Sequence, residues 1–317
     1  MNNIMSFLKL IRIQNLIIIL ITQTIIKIFL VNPFVNNYSL TLIDYALYLI
    51  ETLSIISAGY IINDIYDIDT DKVNKKSKII IGEKISVKNA KISYIVLNII
   101  GVITAAFLAF KLKKIILFVI FIYFIISLWR YSKKLKKTFL IGNIQVAFLT
   151  ALSIINIILF DIPNNQSNNN LIIIKIILTY ALFAFLTTLI REIIKDMEDT
   201  KGDAIINANT VVLKLGVYKT KMITIILTII TILLIAYFQY FQYSIENSTF
   251  QKEISIWGIN KISMVYCLII QLLLLTLIIK TYISKEKIEF NSASRLCKII
   301  MIVGILAIPL FTILYLN

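Results

Sequence analysis

Apolar stretches of roughly the 20 residues that a helix needs to cross a bilayer recur nine times along this chain, at 15–32, 42–62, 92–110, 115–130, 138–160, 171–194, 219–242, 260–283 and 297–316. In hydrocarbon every backbone polar group must find its partner inside the protein, so such a pattern predicts an all-α, polytopic membrane protein. Hydrophobic residues make up 59% of the 317 positions and mean hydropathy is +0.89. No polar block is large enough to bury a core of its own, and residues 1–317 read as one transmembrane domain. The opening "MNNIMSFLKLIRIQNLIIILI" has the basic-then-apolar order of a signal peptide but lacks a small-residue cleavage site. It reads as a retained first span.

The sequence excludes several kinds of chemistry. It contains no histidine, which removes the usual general base, the haem ligand and imidazole metal sites. Cys267 and Cys297 lie far apart in apolar surroundings and form neither a disulfide framework nor a zinc motif. The formal net charge of +15 is explained by membrane orientation rather than by a nucleic-acid partner. The N-terminal tail and the loops after spans two, four, six and eight hold about 25 Lys and Arg, the opposite side about 6, which places the N-terminus in the cytoplasm and the C-terminus outside. Polar "NNQSNNN" at 164–170 falls on the outer side with no chemistry attached to it.

Two acidic clusters then share the cytoplasmic face. "NDIYDIDTDKVN" at 63–74 follows span two, and "REIIKDMEDTKGD" at 191–203 follows span six. Asp64, Asp67 and Asp71 have the spacing D-x-x-D-x-x-x-D, and Asp196, Asp199 and Asp203 repeat it at a constant offset of 132 residues. Matched motifs after two spans four apart point to a divergent internal repeat. If each helix continues past its apolar boundary, Asn63, Asp67 and Asp71 form one stripe, as do Asp196, Asp199 and Asp203. Carboxylates so placed repel one another at a low-dielectric boundary and require cations. Lys72, Lys75, Arg191, Lys195 and Lys201 would supply them in a solvated, salt-bridged loop. Mg²⁺ fits the matched pair better, because it takes oxygen ligands from one or two carboxylates and completes its shell with water and phosphate oxygens. Carboxylates, Mg²⁺ and nearby Lys and Arg at the mouth of a helical bundle suit a lipid diphosphate.

These residues resemble the two aspartate-rich motifs of the UbiA superfamily of intramembrane prenyltransferases. "IRIQN" at 11–15 resembles its R-P-x-N segment, with Ile13 in place of proline. "VNKKSKIIIGEKIS" at 73–86 is similar to the family's N-[KR]-P-x-[RK] stretch and following G-x-x-I-S, with Lys76 in place of proline. "YSKKLKKTFLIGN" at 131–143 and "NANTVVLKLG" at 207–216 resemble two further family segments. The resemblance implies nine helices around a central cavity, with Mg²⁺ bridging a prenyl diphosphate to the protein. It assigns Asn63, Asp67, Asp71, Asp199 and Asp203 as metal and diphosphate ligands, the four aspartates being the catalytic set, with Asp64 and Asp196 in support. Lys78, Lys136, Arg191 and Lys195 would surround the diphosphate, and Arg12, Asn15, Tyr131 and Asn143 would lie further out.

Breaking an allylic C–O bond leaves a diphosphate anion, stabilised by Mg²⁺, Lys and Arg, and a carbocation that needs shelter from water. Tyr60, Tyr66, Tyr123 and Phe124 either line that shelter or simply pack. The resemblance implies a prenyl diphosphate donor, such as geranylgeranyl diphosphate, and a lipophilic acceptor in the membrane. "REIIKDMEDTKGD" most resembles members that prenylate geranylgeranylglyceryl phosphate or a homogentisate-like ring. Hydroxybenzoate and dihydroxynaphthoate type acceptors stay open, as does water in a lipid diphosphate phosphatase. A secondary transporter is the reading from another class, but it would place its charges nearer mid-bilayer. Lys27 and Glu51 are the main charges within spans, explained by snorkelling or partnering.

Overall fold

The computed structural model describes residues 3–35, 37–69, 79–163, 167–240, 243–247, 252–257 and 261–316. A short helix α1 (Asn3–Leu10) precedes the first span, α2 (Ile13–Phe34). The next are α3 (Leu42–Tyr66), α4 (Val87–Lys111), α5 (Ile115–Lys133), α6 (Ile141–Asp161), α7 (Asn168–Ile205) and α8 (Val211–Tyr240). A hairpin of β1 (Tyr243–Asn247) and β2 (Lys252–Trp257) comes before α9 (Lys261–Ile283) and α10 (Lys287–Leu316). Among the described residues nine helices, α2 to α10, are long and apolar enough to cross a membrane. The protein is a multi-pass, all-α membrane protein. The antiparallel hairpin is not announced by the hydropathy pattern, because it follows an apolar span and is too short to register as one.

Chain packing defines two compact units. The first comprises Met1–Ile21, Ser39–Gln145 and Asp199–Lys214; the second comprises Thr22–Tyr38, Val146–Glu198 and Leu215–Asn317. In the first, α3 packs on α4 and α5, which also pack on each other, with Tyr48, Leu108, Leu117 and Phe121 fully buried. The opposite face of α4 presents Ile95, Ile99, Ile103 and Phe107 outward, an apolar stripe at i, i+4 spacing that suits lipid rather than water. Thr41 and Asp44 close a capping box at the start of α3, satisfying backbone N–H groups that have no helical partner. The Asp44 carboxylate also accepts from Lys111 Nζ at 2.6 Å, tying the start of α3 to the end of α4. A cluster of Leu10, Ile11, Leu16, Ile61, Ile81 and Ala90 joins α1, α2, α3, the turn at 79–86 and α4.

In the second unit α9 packs on α10, and α10 also packs on β2 and on a π-helical turn, Lys27–Val31, inside the first span. A π turn disturbs the regular ladder of helix hydrogen bonds, and Thr312 Oγ1 donates to the Phe29 carbonyl at 2.9 Å. At the start of that turn Lys27 Nζ meets Asp161 Oδ2 at 2.5 Å, with the side chains 7% and 0% exposed. Lys27 Nζ also lies 3.8 Å from the centre of the Tyr38 ring. The lysine within a span is therefore partnered. Glu51, by contrast, is buried in α3 with Oε2 making no hydrogen bond. In α8 the backbone leaves helical geometry at Gly216 (φ 79°, ψ 162°), a conformation that side chains with a Cβ rarely adopt.

Removing one member of a buried ion pair strands the other, at a cost of about 3–5 kcal/mol. Lys27→Met is accordingly expected to lower the melting temperature in detergent by several degrees, and Lys27→Met combined with Asp161→Leu to recover much of the loss. A double variant that melts no higher than the single one would show that the pair carries no such coupling.

Candidate active site

The first motif sits where α3 runs out. The helix ends at Tyr66, and Asp67 caps it with its N–H donating to the Asn63 carbonyl at 3.0 Å. The i, i+4 relation expected of Asn63 and Asp67 is realised in their side chains, Asn63 Nδ2 donating to Asp67 Oδ2 at 2.8 Å. That bond turns Asn63 Oδ1 into a buried acceptor with no hydrogen-bond partner. Asp67 Oδ1 is in contact with the Lys136 ammonium.

Asp64 faces another way. Its carboxylate accepts from Arg12 Nη2 at 2.9 Å. Arg12 occupies the break between α1 and α2 with φ 53°, a left-handed conformation that costs a residue with a side chain of order 1 kcal/mol. Its guanidinium also lies over the Tyr60 ring, 4.7 Å from the centroid, while Asn15 Nδ2 donates to Tyr60 Oη at 3.2 Å. The apolar cluster around Leu10, Ile11 and Ile61 holds these pieces in register. Tyr60 is thus neither a bare cavity wall nor simple packing; it links the "IRIQN" segment to the aspartate motif. Tyr66 and Tyr123 are exposed, and Phe124 is buried.

Lys136 is delivered by a 3-10 turn, Leu135–Lys137, between α5 and α6. Two features fix that turn. Asn209 N–H donates to the Lys137 carbonyl at 2.8 Å, so the segment after α7 is tied directly to it. A Cβ at Gly142 would lie 2.6 Å from the Leu135 carbonyl oxygen and 2.8 Å from Lys136 Cα, a space that only glycine leaves free. Gly142 is a positioning residue that residue chemistry does not flag; the signal was the Gly-Asn pair closing "YSKKLKKTFLIGN". Its neighbour Asn143 is buried in α6, and Tyr131 is partly buried near the end of α5.

The second motif differs from the first in backbone. Helix α7 continues through it to Ile205, so Asp196, Asp199 and Asp203 do form the expected helical series, whereas the first motif meets a helix end. Asp199 and Asp203 belong to the first compact unit with Asn63, Asp64, Asp67 and Lys136. Burial lowers the Lys136 ammonium to about 8, opposed by Asp203 and Asp64 and reinforced by Lys137 and Arg12. One lysine therefore senses both motifs. Asp196, Arg191 and Lys195 belong to the second unit, where Arg191 Nη1 and Lys195 Nζ share Glu192 Oε1 at 3.0 and 2.8 Å. Asp71 and Lys78 lie outside the described residues.

The donor set suits a hard cation. Asn63 Oδ1 is an unclaimed amide oxygen beside a carboxylate, and Mg²⁺ takes such oxygens. Among the described residues no three Asp, Glu, His or Cys side chains close into a cluster. Mg²⁺ does not require one, since it is commonly held by one or two carboxylates together with water and phosphate oxygens.

The chain matches the model of the UbiA prenyltransferase family over residues 24–247. A digeranylgeranylglyceryl phosphate synthase of Saccharolobus solfataricus is 39% identical over 173 residues, 55% of this chain and 57% of that protein, so the match spans little more than half of that relative's length. The solved structure of a digeranylgeranylglyceryl phosphate synthase superposes with a TM-score of 0.68 at 23% identity, covering 99% of both chains. A UbiA homologue from Archaeoglobus fulgidus, bound to GPP and Mg²⁺, superposes with a TM-score of 0.57 at 15% identity, over 96% of this chain and 99% of that one. At these identities the structural likeness is one of fold.

Gly142→Ala is expected to displace the Lys136 turn and weaken binding of inorganic diphosphate in the presence of Mg²⁺ by about 10-fold or more, as a displacement of about an ångström at a tight site can do. Lys136→Gln, which leaves the turn in place, should weaken it as well. Unchanged titration curves for both variants would remove this turn from the site.

Proposed function

Because the chain belongs to the UbiA prenyltransferase family, we propose that it transfers a prenyl group from a prenyl diphosphate to the hydroxyl of geranylgeranylglyceryl phosphate, in a Mg²⁺-dependent reaction within the membrane. The observation that carries the reading is the meeting of Asn63, Asp67 and Lys136 at the mouth of α3, with Asp203 and Asp64 in electrostatic reach of the same lysine. The name of the Saccharolobus relative supports the choice of acceptor and a geranylgeranyl donor. The GPP and Mg²⁺ bound to the Archaeoglobus homologue support the diphosphate and the metal.

On this reading the Asn63 amide oxygen, Asp67, Asp199 and Asp203 hold Mg²⁺, with Asp71 as a further ligand. Bound Mg²⁺ supplies Lewis-acid stabilisation of the departing diphosphate. Lys136 adds a positive charge where negative charge develops as the allylic C–O bond breaks. Arg12, fixed by Asp64 and Tyr60, braces the first motif and keeps Asp64 from drawing Lys136 away from Asp67. Apolar helix faces exclude water from the allylic cation until the acceptor hydroxyl captures it. The proton of that hydroxyl passes to an aspartate or to released diphosphate. The excess of Lys and Arg on one set of loops supports a cytoplasmic site, with the N-terminus inside, the C-terminus outside and the nine spans acting as one catalytic domain in the cell membrane.

Purified protein in detergent, given Mg²⁺, labelled geranylgeranyl diphosphate and a pool of acceptors (geranylgeranylglyceryl phosphate, hydroxybenzoate, dihydroxynaphthoate and homogentisate), is expected to form the diether phosphate. EDTA should abolish the product, and Asp67→Ala and Asp199→Ala should each lower turnover by about 100-fold or more. Release of free prenol alone would overturn the transferase reading in favour of hydrolysis. An aromatic product would overturn the acceptor.

A further inference from the structure

Behind the second motif the chain folds back towards the turn that carries Lys136. Ala208 N–H donates to the Asp203 carbonyl at 3.0 Å, and Asn209 N–H to the Lys137 carbonyl at 2.8 Å. One residue later the Thr210 carbonyl accepts from Lys214 N–H at 3.1 Å, so Thr210 is the residue that opens the first turn of α8. Lys214 Nζ lies 5.4 Å from the centre of the Phe139 ring. Residues 203–214 are thereby fastened to the 135–139 segment at two points, one on each side of Thr210, and both segments belong to the first compact unit. Thr210 and Lys136 each stand one residue, a Cα step of about 3.8 Å, from the Asn209–Lys137 bond.

Thr210 is buried, only 3% exposed, and its Oγ1 makes no hydrogen bond. Both ordinary uses of a threonine hydroxyl in a helix are passed over. At a helix start it accepts from a backbone N–H of the first turn; within a helix it donates to the carbonyl four residues back, as Thr224 and Thr228 do further along α8. A buried hydroxyl left unmade weakens a fold, and native proteins keep such groups chiefly where a ligand or an ordered water completes them. The unclaimed groups of this unit are complementary in kind. Asn63 Oδ1 can only accept and suits a cation, whereas the Thr210 hydroxyl can donate and, next to the lysine turn, suits the oxygen of an anion.

We propose that the Thr210 hydroxyl donates a hydrogen bond to a diphosphate oxygen of the prenyl donor, alongside Lys136. The assignment rests on the prenyl-transfer reading above and deepens it by adding a substrate-binding residue from the segment after the second motif. The hydroxyl keeps its proton. It donates to a group that gains negative charge as the allylic C–O bond breaks, so the bond strengthens towards the transition state and is strongest to released diphosphate. "NANTVVLKLG" at 207–216 thereby acquires a ligand group of its own.

Full-length wild-type protein, Thr210→Val and Thr210→Ser are titrated with inorganic diphosphate in the presence of Mg²⁺ and assayed with geranylgeranyl diphosphate as donor. Valine keeps the shape and removes a hydroxyl that bonds nothing in the fold, so Thr210→Val should melt no lower than wild type. It is expected to weaken diphosphate binding and to lower kcat/KM for the donor by about 10- to 100-fold, the loss typical of a hydrogen bond to a charged group. The acceptor KM should stay within about 2-fold, and Thr210→Ser should restore the binding. An unchanged titration curve for Thr210→Val would sink the site, whatever the turnover, and leave the hydroxyl to an ordered water. Loss in Thr210→Ser with retention in Thr210→Val would make the residue a packing group, and a lowered melting temperature for Thr210→Val would make its hydroxyl a structural one; either overturns the proposal. Selective loss of diphosphate binding in Thr210→Val, where wild-type protein prenylates no acceptor, would keep the site and end the prenyl-transfer reading. Wild-type protein that binds no diphosphate with Mg²⁺ overturns both.

Discussion

Carboxylates gathered at the edge of a hydrocarbon slab repel one another with little solvent to screen them, and the cations that hold them together organise this protein. Lys136 is the centre of that arrangement: it touches Asp67 and senses Asp64 and Asp203. Much of the surrounding structure exists to place one ammonium group. Gly142 leaves room for its turn, Asn209 tethers that turn to the end of the second motif, and Arg12 engages Asp64.

A division of labour follows. Asp64 and Asp67, three residues apart, are drawn to different cations, so that one braces the loop before α2 while the other shares a hydrogen bond with Asn63. The asparagine matters because it spends its donor on Asp67 and keeps its carbonyl oxygen buried and unclaimed. A hard cation needs oxygens of that kind. The matched spacing of the two motifs hides different backbones, one at a helix end and the other inside a helix that runs on to Ile205. The two motifs share a spacing of carboxylates in sequence but not a local backbone.

Charge is managed differently inside the spans. Lys27 and Asp161 neutralise each other completely enough to be buried together beside a π turn. Arg191 and Lys195, on α7, share the single carboxylate of Glu192.

The nine spans were legible in hydropathy because a bilayer imposes a length and an apolar composition on whatever crosses it. The clustering of Asn63, Asp64 and Asp67, and of Asp199 and Asp203, was legible because it is met within short stretches of chain. Other features have no local signature. Gly142 matters only because the Leu135 carbonyl happens to approach it, and Tyr60 only because Arg12 and Asn15 reach it from another helix. Whether Lys27 snorkels or pairs is settled by Asp161, more than a hundred residues away. Sequence by itself determined the membrane architecture and where along the chain the acidic motifs fall, since the bilayer acts on each segment separately. Tertiary structure decided which cation each carboxylate meets and which buried donor is left without an acceptor, because those depend on distances between segments that packing alone brings together.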